Sequence, residues 1–126
     1  MQIRVYYEDT DTGGVVYHSN YLNFCERARS ELFFSKGATP ALEEGHFVAS
    51  HLEANFYKPA KLADILHVST QLIKMRGASF TLHQEIYKDE ERLFEMDITL
   101  AHVDYEGKLI RMNARVKELL NSFIYS

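Results

Sequence analysis

One long stretch of helical period, followed by little except two-residue alternation, is what most constrains how this chain can fold. From about Tyr17 to Lys36, the residues Tyr17, Tyr21, Phe24, Cys25, Ala28 and Leu32 fall on one apolar stripe, with Glu26, Arg27, Ser30 and Glu31 largely elsewhere on the wheel. Ser19 and Asn20 are placed to cap the first amides of this helix, and Gly37 to close its last turn. After the loop "GATPALEEGH", with room for a turn of helix between Pro40 and Glu44, the period falls to two. "FVASHLEANFYK", "ILHVSTQLIKM", "SFTLHQEIYK", "RLFEMDITLAHVD" and "EGKLIRM" each read as a strand. Pro59 limits pairing after the first of them. Tight connections fall at Arg76-Gly77-Ala78 and Asp89-Glu90-Glu91, and Phe94, Met96, Ile98 and Leu100 give one strand a single apolar face. "QIRVYYE" is an earlier strand with Ile3, Val5 and Tyr7 on one face, and "NARVKELLNSF" ends the chain as a short amphipathic helix.

Strand, long helix, then antiparallel strands is an α+β order. A helix of about 30 Å covers so many strands only if the sheet curls around it. The expected fold is therefore a curved antiparallel sheet of five to six strands wrapped around one long central helix, as a single domain over residues 1–126. The outer sheet face then needs polar residues or a partner, and the strand count points to a homo-oligomer in which sheets meet. The formal charge of −4 argues against general nucleic-acid binding, which depends on neutralising phosphates. No apolar run approaches the roughly 20 residues that span a bilayer, so an integral membrane protein is not expected. The first residues lack a signal-peptide core, and the single cysteine, Cys25, suits a reducing cytoplasm.

The stretch "EDTDTGGVVYHSNYL", residues 8–22, carries more polar chemistry than a turn before a helix requires. Taken singly, each residue has an ordinary reading: an aspartate as cap or turn former, Gly13-Gly14 as a bend, His18 as a hydrogen-bonded or partly exposed histidine. Taken together they supply two elements of acyl transfer. A helix start offers unpaired amides and partial positive charge to a developing oxyanion, glycines let a carbonyl approach the backbone, and an upstream carboxylate can face it. A carboxylate is a poor nucleophile, so an activated acyl group such as a thioester is the natural substrate. A Cys25–His18 dyad does not fit, because seven helical residues rise about 10.5 Å. Cys25 sits on the apolar stripe and reads as core. The other histidines, His46, His51, His67, His83 and His102, are scattered, with no metal-ligand spacing.

"YYEDTDTGGVVYHSNYLNFCERAR" (6–29), "NFYKPAKLADIL" (55–66) and "MRGASFTLHQEI" (75–86) resemble the hotdog-fold acyl-CoA thioesterases of the 4-hydroxybenzoyl-CoA thioesterase family, in its YbgC-like branch associated with the Tol-Pal envelope system. The resemblance implies hydrolysis of acyl-CoA, without a cofactor, at a site shared between two subunits of a dimer that often pairs again into a tetramer. It places the catalytic carboxylate on Asp11, acting as nucleophile or general base. The oxyanion donor falls on a backbone amide at about His18, whose ring has a role left open, and Asp9 becomes structural. Gly13, Gly14, Tyr17, Asn20 and Tyr21 would border the substrate. Lys58, Lys61, Lys74 and Arg76 would form a local patch for the phosphates of coenzyme A or the surface of an acyl carrier protein, unless they are ordinary solvated strand-end charges. Ser79 would offer a hydroxyl from the partner subunit. Two other classes remain open: a non-catalytic acyl-thioester-binding or scaffold subunit linked to the cell envelope, and a hotdog hydratase or dehydratase pairing His18 with Asp9 or Asp11.

Overall fold

Alternation sets the sheet. The computed structural model describes residues 1–124, so the last two residues of the expected domain lie outside it. In it β3 (Ile65–Met75), β4 (Ser79–Lys88) and β5 (Glu91–Val103) form an antiparallel meander. The strand β2 (His46–Phe56) pairs with the far side of β5, and the three-residue β1 (Gln2–Arg4) with β3. The order across the sheet is β1-β3-β4-β5-β2. Phe80, Leu82 and Ile86 of β4 lie opposite Leu100, Ile98 and Phe94 of β5, and all six are buried on one face. A slip of one residue would turn every one of them to the other face.

The long helix α1 (His18–Ser35) lies on that face. Tyr21 stacks on Phe94 and meets Phe56 edge-on, and Phe33 packs against Phe47, so the helix touches both β5 and β2. Near the middle, Gln84 of β4 is fully buried; its amide donates to the Cys25 carbonyl at 3.0 Å and the Thr70 hydroxyl at 2.9 Å. Arg29 donates to its oxygen at 3.0 Å. A buried amide with each of these bonds made locks helix to sheet without an unpaired group. The second helix, α2 (Ala114–Asn121), is capped by the Asn113 side chain, which accepts from the Val116 amide.

The other face of the sheet is polar. Thr81 pairs with Thr99, His83 with Asp97 at 2.6 Å, and Arg92 bridges Glu85 and Glu95. That face therefore needs no covering sheet. What lacks a partner is an edge: the described residues pair β2 only with β5, and Val48, Leu52 and Phe56 along it stay 40%, 39% and 53% exposed.

Several expectations are corrected. "EGKLIRM" is not a sixth strand; its contact with the sheet is a single bridge from Leu109 to Val103, with Ile110 and Met112 bonding to His102 and Gly77. The first strand ends at Arg4, because Tyr7–Asp9 turns into one 3-10 turn, and Tyr7 is 83% exposed rather than on the inner face. The Pro40–Glu44 segment contains bends and no helical turn. Ser19 and Asn20 do not cap α1, whose N-cap is Tyr17. Gly37 does close it: at φ +72 it lets Ala38 reach back to Phe33 and its own amide to Phe34, completing a Schellman turn.

Candidate active site

Asp9 organises the entry to α1. It is 5% exposed, and its carboxylate accepts from the Tyr6 amide at 2.9 Å. Its carbonyl accepts from the Tyr17 amide at 3.1 Å and the Asn20 side chain at 3.0 Å. Residues 9 to 17 are thus closed into a small loop, with Thr10 and Val16 bridged across it and the Asp11 amide bonded to the Val15 carbonyl at 2.9 Å. The loop is docked on the β2–β3 connection, where the Val16 amide donates to Ala60 and Val15 bridges Lys61.

Asp11 sits exposed at the tip of this loop. One carboxylate oxygen accepts from the Gly13 amide at 2.8 Å, which fixes the group, and its second oxygen has no hydrogen-bond partner among the described residues. A Cβ on Gly13 would stand 3.2 Å from that oxygen, and Gly14 turns the chain at φ +79. The two glycines thus have separate tasks, one of clearance and one of conformation.

The helix begins with its donors uncovered. Tyr17 has extended backbone angles and provides no side-chain cap; among the described residues nothing accepts from the amides of His18 and Ser19. These are the donors on which the partial positive charge of a helix start is concentrated. The His18 ring lies against Tyr17, with centroids 4.2 Å apart. Beside them opens a cleft of about 320 Å³, lined by Val16, His18, Tyr21, Phe56, Tyr57 and Lys58. Tyr21 is a wall of this cleft: burial pushes its hydroxyl pKa up, and the oxygen accepts from the Ala60 amide at 3.0 Å.

The expected residues fall into two groups. Asp11, Gly13, Gly14, Tyr17, His18, Asn20 and Tyr21 share one end of the molecule with Lys58 and Lys61. Arg76 and Ser79 lie past the opposite end of β3, a strand of about 33 Å. There they border an outer-face groove of about 340 Å³ with Lys74, Thr81, His51 and Glu53. The four cations therefore form no single patch within one chain. Lys58 is also paired with Glu91 at 2.8 Å. Val16, Phe56 and Tyr57 were missed as cleft residues; the signal was the aromatic pair just before Pro59, in a stretch from which only the lysines had been taken.

Cys25 is fully buried, and burial pushes its thiol up to about 12 against the opposing charge of Arg29, so it is core. Among the described residues the group with metal-ligand proximity is His83, Glu85 and Glu95, on the outer face, where Arg92 already bridges the two carboxylates. No helix of the described residues is long and apolar enough to cross a membrane.

Residues 13–95, from the glycine pair into β5, match the family model of the thioesterase superfamily. The chain belongs to the thioesterase superfamily. Within the superfamily, it is 53% identical over 87 residues to a Helicobacter pylori protein named acyl-CoA thioesterase YbgC; the match covers 69% of this chain and 65% of that one. It thus spans just under two-thirds of the length of this Helicobacter relative. An Escherichia coli protein named acyl-CoA thioester hydrolase YbgC is 43% identical over 107 residues, covering 81% of this chain and 79% of that one. Among solved structures, a probable thioesterase from Bartonella henselae superposes with a TM-score of 0.84 at 37% identity, over 90% of this chain and 97% of the other. The superfamily's hotdog fold is the α+β arrangement described above, with five strands in this chain.

Proposed function

We propose that this chain hydrolyses acyl-CoA thioesters to free acid and coenzyme A. The observation that carries the reading is Asp11: an exposed carboxylate fixed by one hydrogen bond at 2.8 Å, on a loop that leads directly into uncovered helix-start amides. The names of the Helicobacter and Escherichia relatives support the same activity. In this reading the thioester carbonyl oxygen points at the His18 and Ser19 amides, which hold the developing negative charge. The second Asp11 oxygen then forms a bond to the carbonyl carbon as the C–S bond breaks, the thiolate takes a proton from water, and water opens the mixed anhydride. Alternatively Asp11 removes a proton from a water that attacks directly. Single turnover in labelled water separates the two, since only the first route leaves label in Asp11.

The site is completed by a second copy. Two β2 edges meeting antiparallel across a two-fold axis bring the Phe56 end of one against the His46 end of the other. The His46 end lies beside Val103, two residues along β5 from Ala101, which pairs with Ser79. The cleft of one protomer thereby comes near the Arg76–Ser79 turn of its partner, which brings the two separated groups together. Pairing of such dimers into a tetramer and an association with the Tol-Pal system belong to the same proposal and rest on the resemblance of residues 6–29, while a cytoplasmic location rests on the single cysteine, Cys25. Either coenzyme A or an acyl carrier protein fits as donor.

Thiol release from a panel of short, long and aromatic acyl-CoAs tests the activity. Asp11→Asn should lower kcat by roughly 10³-fold or more with little change in melting temperature. Asp9→Asn should act through stability, at about 1–3 kcal/mol, because its buried carboxylate caps the Tyr6 amide. Turnover unaffected by Asp11→Asn would reject the mechanism, and no thiol release from any substrate would favour a scaffold. A double bond formed or hydrated without thiol release would favour a hydratase.

A further inference from the structure

At the end of the molecule away from Asp11, a cavity of about 330 Å³ lies between the segment after α1 and the second helix. Leu42, Val116 and Leu119 give it apolar walls, while Glu43, Glu44 and Arg115 are exposed residues at its border. His102, on the inner face of β5, also lines it and is fully buried. The Nδ1 of His102 faces the Ile110 carbonyl at 3.3 Å, and a carbonyl only accepts, so the proton is on Nδ1. That leaves Nε2 as an acceptor, and it is buried with no partner among the described residues. A buried acceptor without a donor is costly, and few survive in folded proteins.

The walls are built rather than collapsed. The Schellman turn at Gly37 starts the segment, and the Leu42 amide closes a turn on the Gly45 carbonyl at 2.8 Å. The Tyr105 hydroxyl donates to the Leu42 carbonyl. A Cβ on Gly45 would fall 2.0 Å from the Val103 carbonyl oxygen, so the loop is pressed onto the strand. Loop backbone held at three points keeps the cavity open beside an unanswered acceptor.

We propose that this cavity is a binding site for a small apolar molecule carrying one O–H or N–H donor, a phenol or an indole in size, with His102 Nε2 as the acceptor at its floor. The volume suffices, since an apolar cavity of about 150 Å³ admits benzene. The proposal does not depend on the thioesterase reading, as it uses neither Asp11 nor the cleft.

The test compares phenol with toluene, which has nearly the same shape and no donor. Both are titrated into the protein labelled with ¹⁵N in its histidine side chains. Phenol should move the His102 Nε2 resonance and bind about tenfold more tightly than toluene. His102→Phe should remove that preference while circular dichroism shows the fold retained. If that variant does not fold, the wild-type Nε2 shift and the phenol-to-toluene ratio still decide. No movement of Nε2 with phenol, or equal binding of the two probes, overturns the proposal, as does a crystal structure grown with phenol in which water alone meets Nε2.

Discussion

At His18 the backbone and the side chain can be told apart by substitution. Proline is favoured at the first helical position, and Tyr17 before it has the extended angles (φ −65, ψ 138) that proline requires of its predecessor. His18→Pro should therefore keep the helix, delete one oxyanion donor and lower kcat by about 10²–10³-fold. His18→Ala, which keeps the amide, should cost less than about tenfold; steady-state kinetics of the two variants checks this. A second residue-scale prediction concerns pH. Burial opposes charge on His83, but the hydrogen bond it donates to Asp97 and the charges of Asp97 and Glu85 outweigh it, and its pKa is raised above 6.5. A raised folded value means that this stability is fully present below 6.5 and is lost as pH rises through the raised value. His83→Gln should flatten the dependence of melting temperature on pH in that interval.

Among the elements, the segment joining α1 to β2 has the least tolerance for added atoms. Gly37→Ala would hold alanine at φ +72, at a cost of about 1–2 kcal/mol. Gly45→Ala would drive a Cβ into the Val103 carbonyl and should cost more, about 3 kcal/mol or above, because backbone has to move. Denaturant melts of both variants give the order. The elements also show what could be read from residues alone. β3 and β4 were legible to the residue, since alternation, interrupted only by the bulge after Leu72, meets a glycine turn at Gly77. "EGKLIRM" alternates as well, but β4 begins at Ser79, and only the end of β5 remains for it to pair with. Tyr7 was misplaced because Asp9, two residues later, caps a turn that ends the strand. The separation of Asp9 from Asp11 came from the resemblance of residues 6–29, not from spacing, because a buried carboxylate on the Tyr6 amide and an exposed one on the Gly13 amide arise only once the loop closes. The distance between Lys58 and Arg76 was not legible either, because it depends on where β3 runs after the chain has turned.

For the whole molecule, a site divided between copies predicts complementation. Asp11→Asn and the double variant Arg76→Ala/Ser79→Ala should each be nearly inactive alone. Unfolded together and refolded as a mixture, they should recover about a quarter of wild-type activity, because half the dimers are mixed and each has one intact site. A mixture no more active than its parts would place both groups in separate functions. The order β1-β3-β4-β5-β2 also bears on how the chain is made. β2 leaves the ribosome well before β5, its sole strand partner among the described residues. The end of β5 follows Phe56 by about 45 residues, roughly 2–9 s at ordinary translation speeds. Throughout that interval both edges of β2 are unpaired, with Val48, Leu52 and Phe56 uncovered. Nascent chains on one messenger are then exposed to premature pairing with each other through the edge proposed to join two copies, so slowed translation between β2 and β5 should raise the insoluble fraction.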